Sequence, residues 1–340
     1  MKKLLIISLA LVTITSCSKE QTIEQPDPVS IGFDNIHVDN STRANDLTAD
    51  NIEDFGVYGF VEALSSNTEG LLFENVKVKK EGSDFKYSPV QYWIGNAQYY
   101  FAAMAPYTNA NWSYTSTDAQ NGTVKFMNNE AGANQDLLFA YTKPEVTNES
   151  ITTKPAKVGF TFSHMLSRVK FSFTNGFETG SNISLKITGV TITDAQKEGT
   201  LSISNGNAGD WSVADNAEEK NVFSINFGDA VGDIDNLLDP QENASTEHFY
   251  MIPTTDTYNA TFTVALYQAG VLVDTYNRSA TIPVKMLKGF SYNIKATLNA
   301  SNTSDDGELF PIEFTVIGVN EWDTTDPNVN ATVSNQGFNN

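Results

Sequence analysis

From Phe55 onwards the chain repeats one pattern, short segments with apolar residues at every second position, divided by Gly, Asn, Asp, Ser or Pro. Val169, Phe171 and Phe173 share one side of such a segment, and Lys170, Ser172 and Thr174 share the other. Leu185/Ile187 alternate with Lys186/Thr188, Phe262/Val264/Leu266 with Thr261/Thr263, and Tyr292/Ile294/Leu298 with Asn293/Lys295/Thr297; the period returns in Ile312/Phe314/Val316. A period of two places successive side chains on opposite faces of a strand. Segments with one wet face and frequent turn signals predict an all-β protein of antiparallel sheets packed as sandwiches. Helical periodicity never persists for more than about two turns, so any helix is expected to be short, as around Ile234 to Leu238.

The same pattern divides the chain. Val29, Ile31 and Phe33, followed by Ile36 and Val38, read as a first strand, and the polar run 40–46 reads as an open loop after it. Residues 18–28 are polar and proline-punctuated, as in a flexible tether. A second polar stretch with two prolines, around 143–157, is the expected junction between two domains. The expected organisation is a leader at 1–17, a tether and first strand at 18–43, sandwiches at 44–155 and 156–322, and a polar tail at 323–340.

The leader changes the picture most. Lys2 and Lys3 precede an apolar run from Leu4 to Ile14, and Thr15 and Ser16 lead into Cys17, the chain's only cysteine. The run is too short to span a bilayer, which takes about 20 residues. The arrangement resembles a bacterial lipoprotein signal, which implies cleavage before Cys17 and acylation of that residue. With Cys17 lipidated, no thiol remains for a disulfide or a thiolate metal site, and the body must hold together by packing.

Charge narrows the partners. Forty-one acidic against 21 basic residues give a net charge of −20, which repels nucleic acid and bare anionic lipid; hydrophobic residues at 40% and aromatics at 11% suffice for packed cores. The acidity serves solubility at a crowded surface, with Ca²⁺ binding the lesser expectation.

Candidate chemistry is sparse. His37, His164 and His248 lie far apart and lack HExxH or HxH spacing, and there is no GxSxG, GxGxxG or GxxxxGK[ST] motif. The acid pairs Asp233/Asp235 and Asp305/Asp306 fit solvated loops better than a glycosidase dyad or an EF-hand. Tyr92-Trp93 and Tyr99-Tyr100-Phe101 fit core packing better than sugar stacking. No catalytic residue, cofactor or metal site is expected, and the chain does not read as an enzyme.

Several motifs fall in a telling order. They are the Cys17 leader, Ser41-Thr-Arg43-Ala44, the stretch from Tyr92-Trp93 to Phe101-Ala-Ala-Met-Ala-Pro106, Phe160-Thr-Phe-Ser-His164-Met-Leu-Ser-Arg168-Val169, Lys288-Gly-Phe290-Ser-Tyr292, and Phe314 to Trp322. This order resembles the fimbrillin family of the Bacteroidetes, subunits of pili built from lipoprotein precursors. The resemblance implies two transthyretin-like β-sandwich domains in tandem, export to the outer membrane on a lipid anchor, and a structural role in a surface pilus and in adhesion. It also implies assembly by strand exchange with other pilus subunits. A precursor strand plugs a groove, here through Val29, Ile31 and Phe33; an arginine-specific protease cuts the following loop, here between Arg43 and Ala44; a strand from another subunit then takes the vacated place. Arg43 stands in the open loop, whereas Arg168 and Arg278, the only other arginines, lie in strand patterns. The tail offers Val329, Ala331 and Val333 in alternation, which leaves stalk, tip and anchor roles open. The competing reading is a non-polymerising surface lipoprotein that binds glycan, through Trp93, Tyr99, Trp112 or a loop of the second domain, or binds another surface protein.

Overall fold

The computed structural model describes residues 27–39, 47–65, 68–107, 111–128, 134–147, 151, 155–213, 221–253, 257–303, 312 and 314–319. The regular elements among them are strands, packed as sandwiches around three hydrophobic clusters.

The first sandwich is closed on itself by backbone pairing. Its strands run β1 (Phe33–Val38), β10 (Val158–His164), β8 (Leu138–Thr142), β5 (Ala97–Ala105), β2 (Asp54–Ala63), β3 (Thr68–Glu81) and β4 (Asp84–Lys86), and β4 pairs with β1 again. Inside this ring lies an aromatic-rich core that includes Phe33, Phe55, Phe73, Phe101, Phe160 and Phe162.

A four-stranded sheet covers the outside of the ring. It consists of β6 (Trp112–Ser116), β7 (Gly122–Met127), β13 (Glu198–Ser204) and β14 (Asn207–Ser212), with β13 antiparallel to β7 through Leu201 and Val124. Trp112, Val124, Phe126, Leu201 and Trp211 pack there against Tyr58 of β2, Ala102 and Met104 of β5, and Phe139 of β8. The strand β5 is therefore buried on both faces, with Tyr99, Phe101 and Ala103 turned into the ring and Ala102 and Met104 turned outward. That explains why the stretch from Phe101 to Ala105 is apolar without alternation.

The second sandwich packs β16 (Asn243–Ser245), β17 (Phe249–Met251), β11 (Ser167–Asn175), β20 (Ser291–Leu298) and β21 (Phe314–Val319) against β15 (Val222–Gly228), β12 (Ile183–Gln196), β18 (Thr257–Gln268) and β19 (Val271–Pro283). Alternation holds well here: Tyr258, Ala260, Phe262, Val264 and Leu266 of β18 all point into the core.

Three expectations need adjustment. The sheets are not wholly antiparallel, since β1 runs parallel to β10 and β11 parallel to β20. Residues 234–238 form no helix. Asn236 N–H bonds Asp233 O across a turn, the Asp233 carboxylate accepts from Asp235 N–H, and Leu238 exchanges backbone bonds with Leu185. The short polar side chains favour the turn over a helix there. Finally, β10, which follows the polar segment 143–157, completes the first ring rather than the second sandwich.

The β18–β19 hairpin closes through Ala269 and Gly270, at φ values of 49° and 79°. Two left-handed residues mark a type I′ turn, in which alanine is strained and glycine is not. Ala269→Gly is expected to raise unfolding stability by about 0.5–1 kcal/mol, read as a shift in a urea denaturation midpoint.

Candidate functional site

The site suggested by the sequence is the seat of the first strand. Residues 29–39 are gripped on both sides by backbone bonds. Trp93 N–H donates to Val29 O (2.9 Å) and Ile31 N–H to Gln91 O (2.8 Å), while Val158 N–H donates to Gly32 O (2.7 Å) and Asp39 N–H to Phe162 O (2.8 Å). Ser30 faces Tyr92 in an isolated antiparallel bridge. The Tyr87 hydroxyl adds a bond to Ile31 O at 2.7 Å.

Ile31 and Phe33 are almost fully buried in the ring core, and Val29 packs partly buried against it. Phe33 sits among five aromatic rings, those of Phe55, Phe73, Tyr87, Phe101 and Phe160, with centroids 5.4–6.1 Å away. These separations are in the attractive range for edge-to-face and offset pairs. The alternation breaks after Phe33, where Asn35 takes a φ of 49° and the register with β10 slips. The bulge turns Ile36 inward, so a fourth apolar side chain joins Val29, Ile31 and Phe33. Burial of large apolar side chains of this kind stabilises by about 1.5–3 kcal/mol each.

Charge holds the outer rim. Lys157 Nζ lies 3.3 Å from Asp34 Oδ2 on β1 and 3.4 Å from Asp84 Oδ1 on β4. The Asn35 N–H first, and then Lys157, hold the Asp34 carboxyl below the usual carboxylate range, and Asp34 in turn raises Lys157. A depressed carboxylate contributes above its unfolded pKa, and the contribution is lost as the pH falls through the lower folded value. The clamp is solvent-exposed, so its contribution is small.

Cys17, Arg43 and Ala44 lie outside the described residues, as do Asp305, Asp306 and the tail carrying Val329, Ala331 and Val333. Arg168 is 1% exposed, with Nε donating to Ser291 Oγ, and Arg278 lies within β19, its Nε donating to Asn302 O. The aromatics named for sugar stacking are core residues, since Trp93, Tyr99 and Trp112 are all buried. A ring with both faces packed offers no platform for a sugar. His37 is exposed on β1, and His164 Nδ1 lies 2.8 Å from Asp136 Oδ2 in a buried pair. No group of three or more metal-ligating side chains occurs among the described residues.

Several parts of the seat were not foreseen from sequence. Ile36 carried a signal, an apolar residue out of phase with Phe33. Tyr87 and the Lys157 clamp carried none, because their roles depend on which strands become neighbours.

Among solved structures, the chain resembles a candidate cell adhesion protein of Bacteroides uniformis, at 17% identity over 87% of this chain and 98% of the other, with a TM-score of 0.48. It also resembles the fimbrial anchor protein Mfa2 of Porphyromonas gingivalis (12% identity, 87% and 98% covered, TM-score 0.36) and a fimbrial assembly protein of Parabacteroides distasonis (14%, 86% and 96%, 0.38). Likenesses this distant carry no functional argument. No curated protein matches the chain. The fimbrillin-like family model, in contrast, matches residues 42–322, which is most of the sequence and takes in every strand of both sandwiches except β1. The chain belongs to the fimbrillin-like family.

Proposed function

We propose that this protein is a subunit of a surface pilus, exported as a lipoprotein through Cys17 and assembled by protease-triggered strand exchange in the service of adhesion. The observation that carries the reading is the seat of residues 29–38, a terminal strand completing a ring whose core it plugs through Ile31, Phe33 and Ile36. Taking this strand away exposes an apolar stripe and the unpaired edges of β4 and β10, which favours insertion of another strand. Residues 40–46, with Arg43, follow the strand directly. A cut between Arg43 and Ala44 would sever the strand from the body while leaving the family-matched region almost whole. It would also part the body from the lipid on Cys17. The partners are then other pilus subunits, an arginine-specific protease and, before cleavage, the outer membrane. The role is structural rather than catalytic.

The test is digestion of residues 18–340 with an arginine-specific protease, followed by intact mass and size-exclusion chromatography. One cut after Arg43 and growth of the shortened protein into oligomers are expected, with an Arg43→Ala protein remaining uncut and monomeric. Assembly of Arg43→Ala as readily as the unaltered chain would overturn the proposal.

A further inference from the structure

The longest strand edge left open in the second sandwich belongs to β19. The sheet order β15-β12-β18-β19 ends there, and the thirteen residues Val271–Pro283 pair only with β18 among the described residues. Natural sheets usually shield such an edge with charges, bulges or a covering loop, and the one bulge in the pairing of β19 with β18, at Val273, lies near its start. Here the strand begins with three consecutive apolar residues in solvent, Val271, Leu272 and Val273, at 68%, 52% and 56% exposure. A run of this kind on an edge is a template for another strand.

The charges on the edge indicate which strand. Asp274, Tyr276 and Arg278 form a row: the Tyr276 hydroxyl donates to Asp274 Oδ2 at 3.1 Å, and the Arg278 guanidinium lies 4.8 Å from the Tyr276 ring centre. Asp274 and Arg278 are spaced equally about Tyr276. When two copies of β19 lie antiparallel across a two-fold axis through Tyr276, residue i of one copy meets residue 552 − i of the other. Asp274 then meets Arg278 twice, once on each side of the axis, and the regular register ends at the bulge that leaves Val273 without a partner on β18. No like charges are opposed. A two-fold interface must be self-complementary in this way.

We infer that the β19 edge is a self-association surface, on which two copies of this chain join antiparallel about Tyr276 into one continuous eight-stranded sheet. This interface is separate from the seat of β1 and does not depend on strand exchange. It would join subunits side by side.

The test uses sedimentation velocity on residues 18–340 carrying Arg43→Ala, so that strand exchange contributes nothing. A concentration-dependent dimer is expected for that protein. Asp274→Arg and Arg278→Asp, each opposing like charges twice, should weaken it at least about tenfold. The double exchange Asp274→Arg/Arg278→Asp should restore affinity to within about threefold of the start, a recovery that a folding defect could not produce. Val273→Lys, at a side chain already in solvent, should weaken the dimer without changing the melting temperature measured at concentrations too low for dimer. A monomer at every concentration, including one that captures only a foreign protein, overturns the inference. So does a dimer indifferent to the single charge reversals, or a double exchange that fails to recover.

Discussion

Phe33→Ala is expected to destabilise the uncut protein by about 3–5 kcal/mol, the cost of removing a buried aromatic from a core that cannot collapse around the gap. The five surrounding rings belong to β2, β3, β5, β10 and the segment after β4, so relaxation by one neighbour would disturb the rest. The loss should be concentrated at the seat. Hydrogen exchange should quicken first at Ile31, at Val158 and at Asp39, whose amides hold the strand on its two sides. Denaturant titration supplies the global figure and exchange the local one. A cost below about 1 kcal/mol, or quickened exchange spread evenly over the second sandwich, would show that Phe33 is not the anchor of this strand.

The second large effect is expected at Gly206. Asn205 and Gly206, at φ values of 49° and 76°, make the turn between β13 and β14, and the turn is pressed onto the first ring. Gly206 N–H donates to Gln120 O at 2.9 Å, and a Cβ added to this glycine would lie 2.0–2.5 Å from three ring atoms of Tyr141. Gly206→Ala combines left-handed strain of about 1–2 kcal/mol with overpacking of about 1–3 kcal/mol, roughly 2–5 kcal/mol in all. The sheet that bears the turn draws two strands from before residue 128 and two from after residue 197. Its core also takes in Met165, Leu166, Tyr250 and Ile252. Thermal unfolding should therefore be one transition before the substitution, with the midpoint lowered after it. Two well-separated transitions in the unaltered protein would show that the shared sheet does not couple the sandwiches.

The sequence made some of this legible. Alternation in the second sandwich marked inward and outward residues because each strand there has one wet face, as β18 illustrates. It marked Val29, Ile31 and Phe33 for the same reason, and it failed at Ile36 because a bulge at Asn35 resets the phase. The aromatics Tyr99-Tyr100-Phe101 of β5 pointed to core packing, but they could not say that a further sheet covers the strand's second face. The pairing of β7 with β13 lay beyond reach, since local turn chemistry decides that two neighbouring strands pair and says nothing about a distant partner. Parallel pairing of β1 with β10 was hidden likewise, its contacts being more than a hundred residues apart. The Lys157 clamp on Asp34 and Asp84 follows from that pairing and was equally out of reach.

The closed pairing of the first sandwich also sets a number. Seven strands complete the circuit, and neighbouring strands lie about 4.8 Å apart. Taking β1 out leaves the β4 and β10 edges separated by about two such spacings, a gap with room for one replacement and not two. On the strand exchange proposed above, a subunit would receive a single successor at that point. A fibre grown by that proposed route would be linear and unbranched, with its stoichiometry fixed by the width of a vacancy.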